Sequence, residues 1–519
     1  MSDKLQNATM LMPPDSATAG PSHAQPPQRH PDGRSAETGS DASSNERHLG
    51  SRLQGTQKRL FRESVWVVGG RLLGIGTAIA INVVLARVLP PADVGVFFLL
   101  ASILTFAGFM AMFGLNAGMV RFVSERIGLN DVAGAQAVLR QGTKVAVASI
   151  LTGSLICWGF LHFAGEQVFG VTNLAVLAPL VALSVLGSAT IQLAASLLRS
   201  FHDSRLSILL TGQFGGPLCN LLFIGSTVAV SRWIVPSLEQ VMVFCTISLC
   251  LLIPVAIISV QKIARSRLAE IEPSSTPSSL LPMSTLLIVC LPLMLTQGLS
   301  YITGQADIWI GGAIVDHEQL ALYAAARRLM LLIGMPMQLV NLTVIASIAE
   351  LRAQGRLQDL QRILRSAATF AAVVAIAVCI PIMIFPAQIA AFIFGPFYAD
   401  GAMVLRILCI GQLVFVCVGA AELTLMMSGQ HMKALSINIF TSISLFISGV
   451  LMTQQWGIVG LAIAWTSIVS LQCIGFCLSA RWSVGVWTVM DVRVLRTGRE
   501  ILAAVRAKFK KANNIGSLE

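Results

Sequence analysis

The chain has 519 residues, 55% hydrophobic and only 12% charged, with a mean hydropathy of +0.75, whereas a soluble globular domain carries roughly 25% charged residues. This composition excludes a soluble enzyme and implies a chain that crosses a membrane many times. The formal charge of +11 is uneven, with 8 basic and 3 acidic residues in 481–519 against 8 and 6 in 1–62; membrane topology alone produces such asymmetry, so no nucleic-acid partner is expected.

Residues 1–62 are rich in Ser, Pro, Gly, Asp and Gln and nearly free of aromatics. They cannot bury enough apolar surface to offset their ordering entropy and read as a disordered cytoplasmic tail. No cleavable signal peptide is expected ahead of the first apolar run. From there, apolar stretches long enough to cross about 30 Å of hydrocarbon as helices fall near 65–86, 94–118, 145–164, 174–198, 206–230, 241–260, 285–314, 326–347, 367–386, 403–426, 434–453 and 457–479. Runs such as Leu174–Leu198 stay apolar throughout, which excludes the alternating strands of an outer-membrane barrel. The prediction is an all-α polytopic membrane protein with about twelve transmembrane helices.

Basic residues set the orientation. Arg121, Arg126, Arg140, Lys144, Arg199, Arg205, Lys262, Arg265, Arg267, Arg352, Arg356, Arg362, Arg365 and Lys433 fall between even and following odd spans. The opposite connections offer only Arg87, Arg232, Arg327 and Arg328. The positive-inside rule then puts both termini in the cytoplasm.

One offset near 225 superposes the halves of the chain. Glu125 falls on Glu350, Gln136 on Gln361 and Val138-Leu139-Arg140 on Ile363-Leu364-Arg365; His202, Leu206 and Ser207 meet His431, Leu435 and Ser436 at 229. Such duplication predicts parallel repeats of six helices: an N-lobe over 63–261, a cytoplasmic linker over 262–284 with Glu270, Glu272, Pro273 and Pro277, and a C-lobe over 285–480. The basic tail 481–519 contains Val492, Leu495, Ile501, Leu502, Val505 and Phe509 roughly on one helical face. It is therefore an interfacial amphipathic helix or a solvated basic segment, with membrane lipids as its partner in the first case.

Charge within a membrane costs several kcal/mol, so each such residue faces a partner or a water-filled cavity. Arg71, Asp307, Arg406 and Glu422 are the four candidates. Arg71, Gly74, Ala78 and Asn82 share one face of the first span, and Gln297, Ser300, Gly304, Asp307 and Gly311 form a continuous polar or small stripe on the seventh. That stripe reads as a cavity wall or as a packing seam with Asp307 in a static ion pair. Ser188, Gln192, Ser196 and Arg199 form a similar face on the fourth span. Prolines 179, 217, 254, 292, 336 and 381 fall within or near the spans and predict kinks. The ten cysteines all lie in apolar runs without ligand spacing, so no metal site is expected, and no GxxxxGK[ST] loop is present for ATP.

Two segments carry a family resemblance. Val83–Gly95 (VVLARVLPPADVG), with Phe113-Gly114-Leu115 and Val120-Arg121-Phe122 after it, resembles the N-terminal pattern of bacterial polysaccharide flippases. Gln305–Gly311 (QADIWIG) and Leu322–Arg327 (LYAAAR) resemble the start of their second lobe. The chain is thus similar, over about 60–480, to the Wzx-like oligosaccharide flippases of the multidrug/oligosaccharidyl-lipid/polysaccharide (MOP) superfamily.

The resemblance implies two six-helix lobes around a central cavity in the bacterial inner membrane, a MATE-like fold. It also implies non-enzymatic, outward transfer of an undecaprenyl-diphosphate-linked oligosaccharide by alternating access, for exopolysaccharide, capsule or O-antigen (lipopolysaccharide) synthesis. Implied partners are that lipid, a polysaccharide polymerase and a chain-length regulator. Depth in the membrane, rather than a motif, makes Arg71, Asn82, Gln192, Arg327, Arg328 and Arg406 the candidates for diphosphate or glycan. Asp307, Glu422 and Gln297 are the coupling or gating candidates, with H+ or Na+ as coupling ion and Asp307 favoured by its place on the stripe. No cofactor is expected. A cation-coupled multidrug antiporter of the same superfamily is the alternative, followed by a membrane-embedded glycosyltransferase or polymerase, which the short outer loops disfavour.

Overall fold

The computed structural model describes Trp66 and residues 69–201, 203–269 and 283–491. The N-terminal tail, most of the linker and the amphipathic segment from Val492 onward lie outside the described residues. Helices form because a bilayer offers the backbone no hydrogen-bonding partner, and only a helix satisfies its own N–H and C=O groups along an apolar run. They are α1 (Gly69–Val88), α2 (Pro91–Ala111), α3 (Leu115–Gly128), α4 (Val132–Phe163), α5 (Gly165–Phe169), α6 (Leu174–Ser200), α7 (Ser204–Leu210), α8 (Gly216–Ser231), α9 (Leu238–Ala269), α10 (Met283–Ile314), α11 (His317–Ala353), α12 (Leu357–Ile384), α13 (Pro386–Phe394), α14 (Ala402–Val418), α15 (Ala421–Met427) and α16 (His431–Val484). No strand occurs among the described residues.

Among the described residues, ten helical segments are long and apolar enough to cross a membrane, where the sequence predicts twelve. The difference has two causes. The predicted eleventh and twelfth spans form one assigned helix, α16, whose 54 residues would extend about 80 Å if straight. Trp456 (φ −128°) and Gly457 (φ 58°, ψ −142°) fold it back on itself. The predicted fifth span, 206–230, is not continuous either: α7 ends at Leu210 and α8 begins at Gly216. Gly212, Phe214, Gly215 and Gly216 in between all have positive φ, which a right-handed helix forbids. Pro217 therefore starts α8 instead of kinking a span, while Pro179, Pro254, Pro292, Pro336 and Pro381 do sit inside helices. Breaks also divide α2 from α3, at Gly114 (φ 72°), and α14 from α15, at Gly419 (φ 77°).

Corresponding elements start at nearly constant offsets: Pro91 and His317 differ by 226, Val132 and Leu357 by 225, Leu174 and Ala402 by 228, Ser204 and His431 by 227. The short α5 and α13 follow α4 and α12 in the same way. Connections α3–α4, α6–α7, α11–α12 and α15–α16 lie at one end of the bundle, which we call the basic end after Arg126, Arg205, Arg352, Arg356 and Lys433. Asp131 caps α4 there, accepting from the Gly134 N–H (2.9 Å) and pairing with Arg126 (2.7 Å).

Helix α2 is the seam between the halves, packing on α4 and α6 of its own half and on α10 and α11 of the other. Gly95 makes the α2–α11 approach possible, since a Cβ at that position would lie 2.0 Å from the His317 carbonyl oxygen. Ser102 accepts from Trp309 Nε1 (3.0 Å), and Phe109 stacks on Tyr301 at 4.5 Å, fixing α2 to α10. Phe97 also reaches the α7–α8 break, 6.0 Å from the Phe214 ring and 6.2 Å from that of Phe223. This aromatic packing offsets the roughly 1–3 kcal/mol of a non-glycine positive φ at Phe214. Beyond α16 the chain turns back: Asp491 pairs with Arg365 (3.0 Å), and the Met490 N–H donates to the Cys417 carbonyl (2.9 Å).

Candidate functional site

Two polar networks and four cavities stand among the described helices. The first centres on Asp307, fully buried on α10. One of its oxygens, Oδ2, accepts from the Tyr323 hydroxyl (2.7 Å) and forms an ion pair with Nε of Arg327. Arg327 reaches from α11, where only 12% of its side chain is exposed. Its Nη2 donates to the Gly304 carbonyl, and the guanidinium lies 4.9 Å from the Trp465 ring of α16. The arrangement is a closed electrostatic knot among α10, α11 and α16, with the cation also over an aromatic face. Asp307 Oδ1 has no hydrogen-bonding partner, and Arg327 Nε meets the carboxylate as an ion pair without a hydrogen bond.

Arg328, next in the chain, points the other way, its guanidinium 5.5 Å from the Phe98 ring of α2. It shares a cavity of about 170 Å³ with Asn82, Gln338 and Phe394. Asn82 there donates to the Ala78 carbonyl (2.5 Å). A second, larger cavity of about 330 Å³ lies at the basic end, between α1, the end of α6 and the α7–α8 break. Its walls carry Arg71, Arg199, Thr211 and Asn220. Arg71 makes no hydrogen bond or ion pair among the described residues, and Arg199 has only neutral partners, Ser196 Oγ (2.8 Å) and Thr211 Oγ1 (3.4 Å).

On the second half, Glu422 sits one turn beyond the α14–α15 break. It accepts from Asn438 Nδ2 (3.3 Å), and Gln472 Nε2 donates both to Asn438 Oδ1 (2.7 Å) and to Thr441 Oγ1 (3.1 Å). This network holds a carboxylate among neutral groups of α15 and both limbs of α16.

The largest of these four cavities, about 1290 Å³, opens between α2, α4, α10 and α16. Its walls are almost wholly apolar, including Phe106, Met110, Ile156, Trp309 and Phe446, with Lys144 towards the basic end and Gln454 at the other. A fourth cavity of about 480 Å³, between α12 and α14, is apolar. None of the four has an Asp or Glu on its wall.

Residues 60–348 match the family described as "Polysaccharide biosynthesis protein". The chain belongs to that family. No curated protein sequence matches it. Among solved structures it is similar to an inward-facing multidrug resistance MATE family transporter of the MOP superfamily, at 16% identity and TM-score 0.62 over 79% of this chain and 94% of that one. The lipid II flippase MurJ in an inward closed conformation matches at 14% and 0.59, over 81% and 87%. A MOP superfamily transporter from Pyrococcus furiosus Vc1, described as having a binding pocket of reversed polarity, matches at 16% and 0.54, over 81% and 94%. The family match places the chain in polysaccharide biosynthesis, and these likenesses show that it has the all-α, multi-span fold of those MOP superfamily structures.

Within this polysaccharide biosynthesis family member, the nine sequence-predicted residues do not form one site. Asp307 joins Arg327, so a coupling candidate neutralises a binding candidate. Asn82 joins Arg328. Arg71 stands apart from both, with Arg199 for company. Arg406 is exposed on α14 and donates to the Met383 carbonyl of α12 (3.3 Å), lining none of the four cavities. Gln192 is half-buried on α6 and also lines none of them. Gln297 accepts from Asn116 (3.5 Å), bridging α10 to α3 across the seam.

Arg199 stands on a polar face of the fourth span, outside the predicted binding set, and Tyr323, Trp465 and Lys144 are not among the predicted site residues. The run Gly212-Gln213-Phe214-Gly215-Gly216-Pro217 was the available signal for the broken helix, since three glycines and a proline in six residues oppose an uninterrupted span.

Proposed function

We propose that this protein flips an undecaprenyl-diphosphate-linked oligosaccharide across the bacterial inner membrane, from the cytoplasmic to the periplasmic face, by alternating access. In this reading both termini and the basic end are cytoplasmic. The observation that carries it is the character of the cavities: Arg71, Arg199, Arg328 and Lys144 lie on their walls, and no carboxylate does. Cation-lined walls suit an anionic headgroup, because guanidinium binds phosphate oxygens in a bidentate manner. A cationic drug would meet only repulsion there, which disfavours the multidrug antiporter despite the shared fold.

The apolar cavity between the halves supports the same reading, since it gives a polyprenyl tail a place beside a polar path for the glycan. An outward-moving dianion gains about 4.6 kcal/mol from a 100 mV inside-negative potential, at roughly 2.3 kcal/mol per charge. Of the two acidic coupling candidates, Glu422 is the better proton or sodium carrier, because its neighbours are neutral amides whereas Asp307 already has an arginine. Exopolysaccharide, capsule and O-antigen pathways, with their polymerase and chain-length regulator, remain the context in which such a flippase acts.

The test is to deplete the protein in its host, extract lipids and measure the sidedness of polyprenyl-diphosphate oligosaccharides with a glycan probe that cannot cross the inner membrane. Complete repeat units facing the cytoplasm are expected to accumulate. Normal delivery of complete units to the outer face, together with restored sensitivity to cationic dyes, would replace this reading with drug efflux.

A further inference from the structure

The second half of the chain carries a helix break that its own sequence does not require. Helix α14 ends at Val418 and α15 begins at Ala421, yet Phe415–Ser428 holds no proline and only one glycine, Gly419. A lone glycine weakens a helix but does not end it, in contrast to the three glycines and a proline between α7 and α8. The repeat makes the comparison direct. Helix α6 begins 228 residues before α14, so Gly419 matches Ile191, which is fully buried in an uninterrupted helix. The cause of the break therefore lies outside the segment that breaks.

What stands against it is the segment 485–491 that follows α16. Gly485 (φ 82°) turns the chain back, and Val486 and Thr488 are buried. The Trp487 N–H donates to Gln361 Oε1 (2.9 Å), and the Asp491 N–H to Thr369 Oγ1 (2.9 Å), both on α12, where Arg365 pairs with the Asp491 carboxylate (3.0 Å). The Met490 N–H donates to the Cys417 carbonyl (2.9 Å). In an unbroken helix that carbonyl would accept from the Ala421 N–H, four residues on, so Met490 replaces a helical donor. Thr488 fills the remaining gap: a Cβ at position 419 would lie 2.8 Å from its carbonyl oxygen. Gly419 itself (φ 77°, ψ −149°) adopts a backbone conformation open essentially to glycine alone. Just past the break, Glu422 stands in the first turn of α15 and accepts from Asn438, so its place depends on the direction in which α15 leaves Gly419.

We propose that residues 485–491 are a conformational latch on the second half. Docked, the segment holds α14 broken at Gly419 and Glu422 against Asn438. Undocked, it returns the Cys417 carbonyl to the Ala421 N–H; α14 and α15 then run on as one helix, as α6 does, and Glu422 turns away from Asn438. The two arrangements exchange one backbone donor for another, which is the property of a two-state element that a modest bias can move. Residues 492–519 continue directly from Asp491, so whatever draws on that basic segment reaches Glu422 through the latch. The consequence for transport rests on the flippase reading; the two-state behaviour does not.

The test measures amide hydrogen exchange in the full-length protein in lipid nanodiscs. Gly419→Ala sets a methyl group against the Thr488 carbonyl and favours the continuous helix, while Thr369→Val removes the acceptor of the Asp491 N–H and stands in where Gly419→Ala does not fold. In both, exchange at 487–491 is expected to rise, roughly tenfold for Gly419→Ala, while exchange at 420–423 falls as those amides join a helix. Opposite signs are the signature of a latch, since a merely structural terminus would loosen both segments together. The reverse perturbation locks the segment down: Gln361→Cys with Trp487→Cys, joined by a short thiol cross-linker that a reductant cleaves, with each single cysteine variant controlling for the native thiols. The locked protein is expected to flip lipid-linked diphosphate roughly tenfold more slowly in proteoliposomes than the same sample after reduction.

Faster or unchanged exchange at 420–423 when 487–491 is released would overturn the latch and leave the flippase reading standing. Equal flux in the locked and reduced protein would show that the segment stays docked through the cycle and would overturn its part in transport. A wild type that flips no lipid-linked diphosphate, with exchange changes of opposite sign still observed, would instead remove the flippase reading and keep the latch.

Discussion

Arg327→Met should be among the most destabilising single changes to a polar group in this protein. The substitution keeps much of the side chain's length and its packing against Trp465 but removes the cation opposite Asp307, whose side chain is fully buried. Breaking a buried ion pair from one side costs about 3–5 kcal/mol, most of it the penalty of an uncompensated charge. Tyr323 keeps donating to Oδ2 (2.7 Å) and limits the loss to the lower part of that range. Adding Asp307→Asn to Arg327→Met removes the stranded charge while leaving an acceptor for Tyr323. The double variant should therefore be more stable than Arg327→Met alone, with an interaction term of about 2 kcal/mol, within the range of coupled neighbours. Reversible unfolding in mixed micelles, followed by tryptophan fluorescence, measures all four corners of the cycle, and Trp465 stands 4.9 Å from the guanidinium as a local reporter. Additive losses, within about 0.5 kcal/mol, would show that Asp307 and Arg327 do not depend on one another and would reopen Asp307 as a coupling residue.

Two further substitutions probe the seam and the apolar cavity. Gly95→Ala puts a Cβ 2.0 Å from the His317 carbonyl oxygen, an overpacking worth about 1–3 kcal/mol; Gly76→Ala on the open face of α1, with nothing within 4 Å, should be neutral or slightly stabilising, and equal thermal midpoints for the two would contradict the close α2–α11 approach. Ala148→Trp fills part of the 1290 Å³ cavity from an exposed position and should slow flipping of long-chain substrate several-fold while leaving pyrophosphate binding untouched. Undiminished flux of an undecaprenyl-linked substrate in that variant would show that the tail travels elsewhere.

Sequence and structure divide the information along physical lines. Composition and apolar run length determined the class of the protein, because the bilayer allows few solutions for backbone hydrogen bonds and each apolar stretch must answer to that constraint locally. The offset near 225 likewise foretold that α2 and α11, α4 and α12, and α6 and α14 would begin at matching intervals, since repeated sequence folds by the same local rules. Asp307 and Arg327 were each recognisable as charges at depth.

What only the tertiary structure decided is who meets whom. Arg327 and Arg328 are neighbours in the chain, yet one turns to Trp465 and Asp307 and the other to Phe98. Adjacent residues on a helix point about 100° apart, so each faces a different packing partner, and those partners come from other helices, α10 and α16 for Arg327 and α2 for Arg328. Arg71 and Arg199 are 128 positions apart and share a wall because α7 breaks and α8 restarts between them. Hydropathy averages over a window of about 19 residues and passes over that six-residue interruption. Phe97 of α2 packs on the Phe214 ring together with Phe223 of α8, so the geometry of the break is a property of the packed bundle and of no single segment.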